Sequence, residues 1–140
     1  MKLTTHFTLE EFIRSNTATR LKINNLPNKQ QIANLLELCR EVLEPIREAY
    51  GKPIIVTSGY RCPELNKAVG GVATSEHLQG MAADIRTLSD TKADNKKLWM
   101  ICIEVLKLRP FGQLINEHNY DWIHLSYNVK RNRKQILELP

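Results

Sequence analysis

The chain has 140 residues, 42% hydrophobic and 25% charged, which is the make-up of a soluble globular domain and argues against disorder and low complexity. No apolar run approaches the roughly 18–20 residues that cross a bilayer, so no membrane span is expected. The opening Met1-Lys2-Leu3-Thr4-Thr5-His6 leads straight into a helix-start signal, so no Sec-type signal peptide is expected either. Net charge is +5, and much of the excess lies in Lys130, Arg131, Arg133 and Lys134, so residues 128–140 read as a basic, solvated and partly frayed tail. A nucleic-acid partner is not expected, because aromatics are only 6% and no recognition-helix pattern accompanies the basic run.

Thr8 and Glu11 form a capping box, with Phe7 and Phe12 at the flanking staple positions, and predict a short helix ending near Ser15–Asn16. Residues 17–28 contain Asn24, Asn25 and Pro27 and read as a loop packed on the body. From about Asn28 the residues Ile32, Leu35, Leu36, Cys39, Val42, Leu43 and Ile46 recur at helical spacing. Pro45 should bend or weaken the last turns of that helix, and Gly51 should close it. Pro53-Ile54-Ile55-Val56-Thr57 is a β-branched run that predicts a strand. Ser58–Pro63 reads as a turn, Pro63 as the opening of a short helix to about Val69, and Gly70-Gly71 as a corner.

Residues 82–86 read as a second strand, with Asp84 and Arg86 on one face. A second long helix spans Thr91–Leu108, capped by Ser89, Asp90 or Thr91. Strands over Gln113–Glu117 and Asp121–Tyr127, joined by a His118-Asn119-Tyr120 turn, form a hairpin. This order predicts an α+β fold, an antiparallel sheet packed against helices on one face, with no repeat and no linker.

The three cysteines, Cys39, Cys62 and Cys102, form no CxxC pair, which argues against a disulfide framework and a cysteine zinc site. Of the four histidines, His6 and His118 read as surface residues. His77 and His124 differ. His77 precedes Asp84 by seven positions, and strand alternation puts Trp122, His124 and Ser126 on one face. Two imidazoles and a carboxylate can hold a catalytic zinc ion, leaving its fourth position open. Such a site also needs a carboxylate base and a cationic or donor group, for which Asp121, Glu117 and Arg61 are candidates. Spacing alone does not separate this reading from a satisfied structural histidine.

Three stretches carry a resemblance: Thr57-Ser58-Gly59-Tyr60-Arg61-Cys62-Pro63-Glu64-Leu65-Asn66, Ser75-Glu76-His77-Leu78-Gln79-Gly80-Met81-Ala82-Ala83-Asp84-Ile85 and Trp122-Ile123-His124-Leu125-Ser126-Tyr127. Together they resemble the zinc D-Ala-D-Ala carboxypeptidase family, peptidase family M15, in the form of its C-terminal catalytic domain. The lead-in from Phe7 to Pro27 is similar to that of small bacterial and phage members. The resemblance implies residues 1–140 as a single such domain with a hedgehog/DD-peptidase-like fold. It implies one Zn2+ per chain held by His77, Asp84 and His124, with Arg61 in the substrate cleft. It also implies an acidic base near the last histidine. Asp121 has the usual spacing but would face away from His124 on a regular strand, and Glu117 on the partner strand is the alternative. Ser75 is expected to support His77, and Trp122 either to line the cleft or to pack beside it.

The expected activity is zinc-dependent hydrolysis of peptidoglycan stem peptides, as a carboxypeptidase or an endopeptidase. The expected place of action is the cell wall or periplasm, after synthesis in the cytoplasm and release by a route other than Sec. The alternative is a catalytically inactive, zinc-stabilised module that binds wall peptides or proteins.

Overall fold

A computed structural model describes residues 1–140. Its elements in chain order are β1 (Lys2–Thr4), β2 (Phe7–Thr8), α1 (Leu9–Ile13), α2 (Asn16–Leu21), α3 (Lys29–Leu38), α4 (Glu44–Tyr50), β3 (Ile54–Ser58), α5 (Pro63–Ala68), β4 (Ala82–Thr87), α6 (Lys92–Leu106), β5 (Gln113–Glu117), β6 (Trp122–Ser126) and β7 (Gln135–Glu138). Strands β3 to β7 form one five-stranded sheet in the order β3-β4-β6-β5-β7. The expected α+β class and helix-backed sheet are both present. All pairings are antiparallel except that of β5 with β7, which is parallel.

The helix starts follow the local chemistry. The Glu11 carboxylate accepts from the Thr8 N–H at 2.7 Å, and the Phe7 and Phe12 rings meet with centroids 6.1 Å apart. Asn28 and Gln31 cap α3 reciprocally, the Thr91 side chain caps α6, and Gly51 ends α4 at φ 73°. Between α3 and α4 the helix continues as a π turn over Cys39–Leu43, where Glu44 N–H reaches back to Cys39 O. Pro45 has no N–H, so it cannot serve the Glu41 carbonyl one α-turn back. The Arg109 Nε donates to that carbonyl instead, at 3.1 Å. The expected disturbance at Pro45 is therefore a π turn, with a side chain from beyond α6 satisfying the freed group.

Two expectations need correction. Residues 17–28 are not all loop, because Ser15 caps α2 through its side chain, which accepts from the Ala18 N–H. Residues 128–140 are not a frayed tail. Lys134 and Gln135 donate to the Phe111 and Gly112 carbonyls, and Ile136 and Leu137 come into register with Leu114 and Ile115.

Strand periodicity divides the sheet into two surfaces. Ala83, Ile85, Leu114, Ile123 and Leu125 face the core, where Leu35, Leu38, Val42, Leu43, Ile46, Leu98, Cys102 and Leu106 from the helices meet them. Burial pushes the Cys39 and Cys102 thiols up, so both remain protonated core residues. Asp84 and His124 are cross-strand partners, and Ile115 pairs with His124 from the other side. These three share the opposite surface, which the segment between β3 and β4 covers. That surface carries the site.

Candidate metal centre

His77 sits on a single 3-10 turn, Glu76–Gln79, which Ser75 caps by accepting the His77 backbone N–H at 3.2 Å. Ser75 thus fixes the backbone of the turn, while the ring is fixed elsewhere. His77 Nδ1 lies 2.7 Å from the Gly59 carbonyl oxygen. A carbonyl only accepts, so Nδ1 carries the hydrogen and Nε2 is left with its lone pair. That Nε2 is buried and without a hydrogen-bond partner, although it lies 3.4 Å from Asp84 Oδ2. An imidazole lone pair directed at a carboxylate oxygen gains nothing from it, because both are acceptors. A cation between them would satisfy both.

The third member completes the arrangement. His124 Nδ1 is 3.0 Å from Asp84 Oδ1, and the two imidazole centroids are 5.2 Å apart. One donor atom from each of His77, Asp84 and His124 lies within 4.8 Å of the others. Burial by itself would raise the Asp84 carboxyl, but the surrounding interactions, led by the His124 hydrogen bond, outweigh it and hold the group well below the usual carboxylate range. The centre therefore offers an ionised carboxylate and two imidazoles, one with a fixed tautomer. This donor set suits zinc.

Arg61 stands behind the carboxylate. Its Nη2 is 3.5 Å from Asp84 Oδ2, its Nε donates to Ser58 Oγ at 3.0 Å, and its Nη1 donates to Asn66 Oδ1 at 3.2 Å. Burial lowers its pKa and the Asp84 charge opposes that shift. Arg61 lines a depression of about 260 Å³ together with Arg14, Ser15, Asn16, Thr57 and Ser58.

A separate cleft of about 500 Å³ has His124 in its wall. His124, Glu117, Ile115, Gln113, Ser75, Glu76, Arg131 and Arg133 are among its lining residues. Glu117 pairs in register with Trp122, on the same strand face as His124. Asp121 lies away from this face. It is exposed, with its carboxylate 2.7 Å from Lys92 Nζ, and Lys92 also donates to the His118 and Asn119 carbonyls. Trp122 packs on the His118 ring, with centroids 4.9 Å apart, and is not part of the cleft lining. His6 is remote from the centre, where it is hydrogen-bonded to Glu44 at 2.6 Å.

Three supporting groups went unassigned at the level of sequence. The Gly59 carbonyl orients His77, and Gly59 Cα has no room for a side chain, since a Cβ would lie 2.6 Å from Phe12 Cα. Asn66, which is buried, links Arg61 to the Val72 carbonyl. Asn25, also buried, donates to the Ile13 and Tyr60 carbonyls and accepts from the Cys62 N–H, which ties the Tyr60–Cys62 segment to the N-terminal helices.

An α+β sheet presenting a His-Asp-His donor set beside an open cleft is an arrangement that could hold a metal ion. The family profile described as Peptidase M15 matches residues 5–126, and the chain belongs to that family of zinc-dependent metallopeptidases. No curated protein matched the chain when the two were compared. No helix is long and apolar enough to cross a membrane.

Proposed function

We propose that this protein is a zinc peptidase that hydrolyses the short peptides of bacterial peptidoglycan, as a D-Ala-D-Ala carboxypeptidase or a murein endopeptidase acting at the cell wall. The observation that carries the proposal is the buried, unpartnered His77 Nε2 facing an ionised Asp84, at the edge of a cleft that contains a carboxylate. His77, Asp84 and His124 would hold the zinc. When bound, zinc supplies Lewis acidity and brings water toward ionisation at neutral pH.

The chain's own residues do the rest. Two carboxylates line the cleft with His124; Glu76 is paired with Arg133, and the role of Glu117 is to accept the proton of the attacking water and pass it to the leaving amine. Asp121 is disfavoured for that task by its ion pair with Lys92 and its absence from the cleft lining. Arg61 holds Asp84 and stands as the nearest cation to the centre, able to offset negative charge that develops there. The fixed tautomer of His77 keeps its lone pair directed at the metal position.

Elemental analysis of the purified protein, together with hydrolysis of peptidoglycan fragments with and without chelator, tests the reading. About one zinc per chain and chelator-sensitive cleavage are expected, and the product masses name the bond. Zinc without cleavage would instead support the binding-module reading. Absence of bound zinc after incubation with the metal would refute the centre.

A further inference from the structure

The family match ends at residue 126, yet the chain beyond it builds one wall of the cleft. This segment is firmly held. Asn128 N–H donates to Asn132 Oδ1 at 2.9 Å, Lys130 N–H donates to Asn128 Oδ1 at 3.1 Å, and Arg131 N–H donates to the Asn128 carbonyl at 2.8 Å. The turn then runs into β7, whose parallel pairing with β5 fixes its far end. Between these anchors, Arg131 and Arg133 line the same cleft as His124 and Glu117.

The two glutamates and two arginines that line the cleft form only one ion pair among themselves. Arg133 has Nη2 3.9 Å from Glu76 Oε1, a loose pairing, and its Nε reaches Gln135 Oε1 at 3.4 Å. Arg131, also a lining residue, has no carboxylate within ion-pair distance. The neighbouring cations are employed differently. Lys134 Nζ donates to the Lys107 carbonyl at 2.9 Å and lies over the Phe111 ring, away from the cleft. Within the basic run the fold thus sets Lys134 apart as a structural lysine and places Arg131 and Arg133 in the cleft lining.

We propose that residues 128–138 form part of the substrate site, and that Arg131 and Arg133 take a carboxylate of the bound peptide. This deepens the peptidoglycan-peptidase reading and rests on it. A planar guanidinium suits a carboxylate, which accepts two parallel N–H bonds from it, and this cleft has two arginines in its lining. The carboxylate can be the terminal one of the peptide or one it carries internally, and the two give different results when each is amidated.

The test uses the zinc-loaded full chain and three synthetic stem-type peptides: one with all carboxylates free, one amidated at its C-terminus and one amidated at its internal carboxylate. Wild type should prefer the free peptide over one amidated twin by about tenfold in kcat/KM, equivalent to about 1.4 kcal/mol. The Arg131→Gln/Arg133→Gln double variant should lose that preference. A Lys130→Gln/Lys134→Gln variant, with the same change in net charge, should keep it. Equal preference in wild type and the arginine variant overturns the proposal, and so does equal loss in the lysine variant. If wild type cleaves none of the peptides, the hydrolytic reading fails on that result alone. Calorimetric binding of the same three peptides then reads the arginines, and binding that does not distinguish carboxylate from amide overturns the proposal.

Discussion

Gly59→Ala should weaken zinc binding without touching a ligand. A Cβ at position 59 would lie 2.6 Å from Phe12 Cα and 2.7 Å from both Phe12 Cβ and the Phe12 carbonyl oxygen. Two of these three atoms are backbone, so a side-chain rotation cannot relieve the contact. The chain around Gly59 must move instead, and overpacking of this kind costs about 1–3 kcal/mol. The same residue's carbonyl accepts from His77 Nδ1 at 2.7 Å. A displacement on the order of 0.5–1 Å takes that contact to the edge of hydrogen-bonding range or past it. His77 then loses the partner that holds its tautomer and ring angle, and loss of such a partner lowers metal affinity about 10–100-fold. Competition titration against a chromophoric zinc chelator reads the affinity, and thermal melts of the metal-free protein read the stability. Arg109→Met provides the comparison, since it should destabilise the fold far from the centre and leave zinc affinity unchanged. A destabilised Gly59→Ala protein that binds zinc as tightly as wild type would refute the orienting role of the carbonyl.

Arg109→Met itself should cost about 1–2 kcal/mol, because it strands the Glu41 carbonyl that Pro45 cannot serve, and an unchanged denaturation midpoint would remove that account. Glu117→Gln should lower turnover about 10²–10⁴-fold while retaining zinc, whereas Asp121→Asn should leave turnover close to wild type; the reverse pattern would reassign the base. His124→Ala should lose both zinc and hydrolysis, and retained stoichiometry would exclude it as a ligand. Glu44 provides a pH signature. Its burial would raise the carboxyl, but hydrogen bonds from His6 hold it below the ordinary 4.5, so the folded state gains stability above that pH and loses it as pH falls. The melting-temperature gap between wild type and Glu44→Gln should be full at neutral pH and shrink toward pH 4, and a gap constant across that range would contradict the assignment.

The grouping of His77, Asp84 and His124 follows from the motifs that carry the family resemblance, and strand alternation accounts for two of its members. Asp84 and His124 are each interior to a strand, and the parity that buries Ala83, Ile85, Ile123 and Leu125 necessarily turns them to the other surface. Helix boundaries were legible for a similar reason, since caps such as Thr8–Glu11, Asn28–Gln31 and Thr91 act over three residues. What sequence could not supply depends on distant pairing or on backbone. The Gly59 acceptor is a carbonyl, which every residue has, and only the fold brings it to His77, eighteen positions on. Asn25 and Asn66 are ordinary loop residues until they are buried against carbonyls far away or across a turn. The short β7 has a weak alternation of its own, and its identity comes from the edge that β5 leaves open.

The two acidic candidates show the same division in one comparison. An odd offset from His124 puts Asp121 on the wrong face of a regular strand, an inference available from counting alone. Counting does not reveal why the chain cannot bend to rescue it. The His118-Asn119-Tyr120 turn has φ values of 49°, 52° and 69°, three successive left-handed residues. Lys92 holds the carbonyls of the first two and Asn95 Nδ2 that of Tyr120, while Asn116 Oδ1 accepts from the Tyr120 N–H. The N-terminus of α6 thereby fixes the turn, and Asp121 is drawn to Lys92 as part of the same network. Glu117, one residue before that turn, stays on the face of the cleft. Lys92 thus holds the Asp121 carboxylate at the N-terminus of α6, while Glu117 lines the cleft.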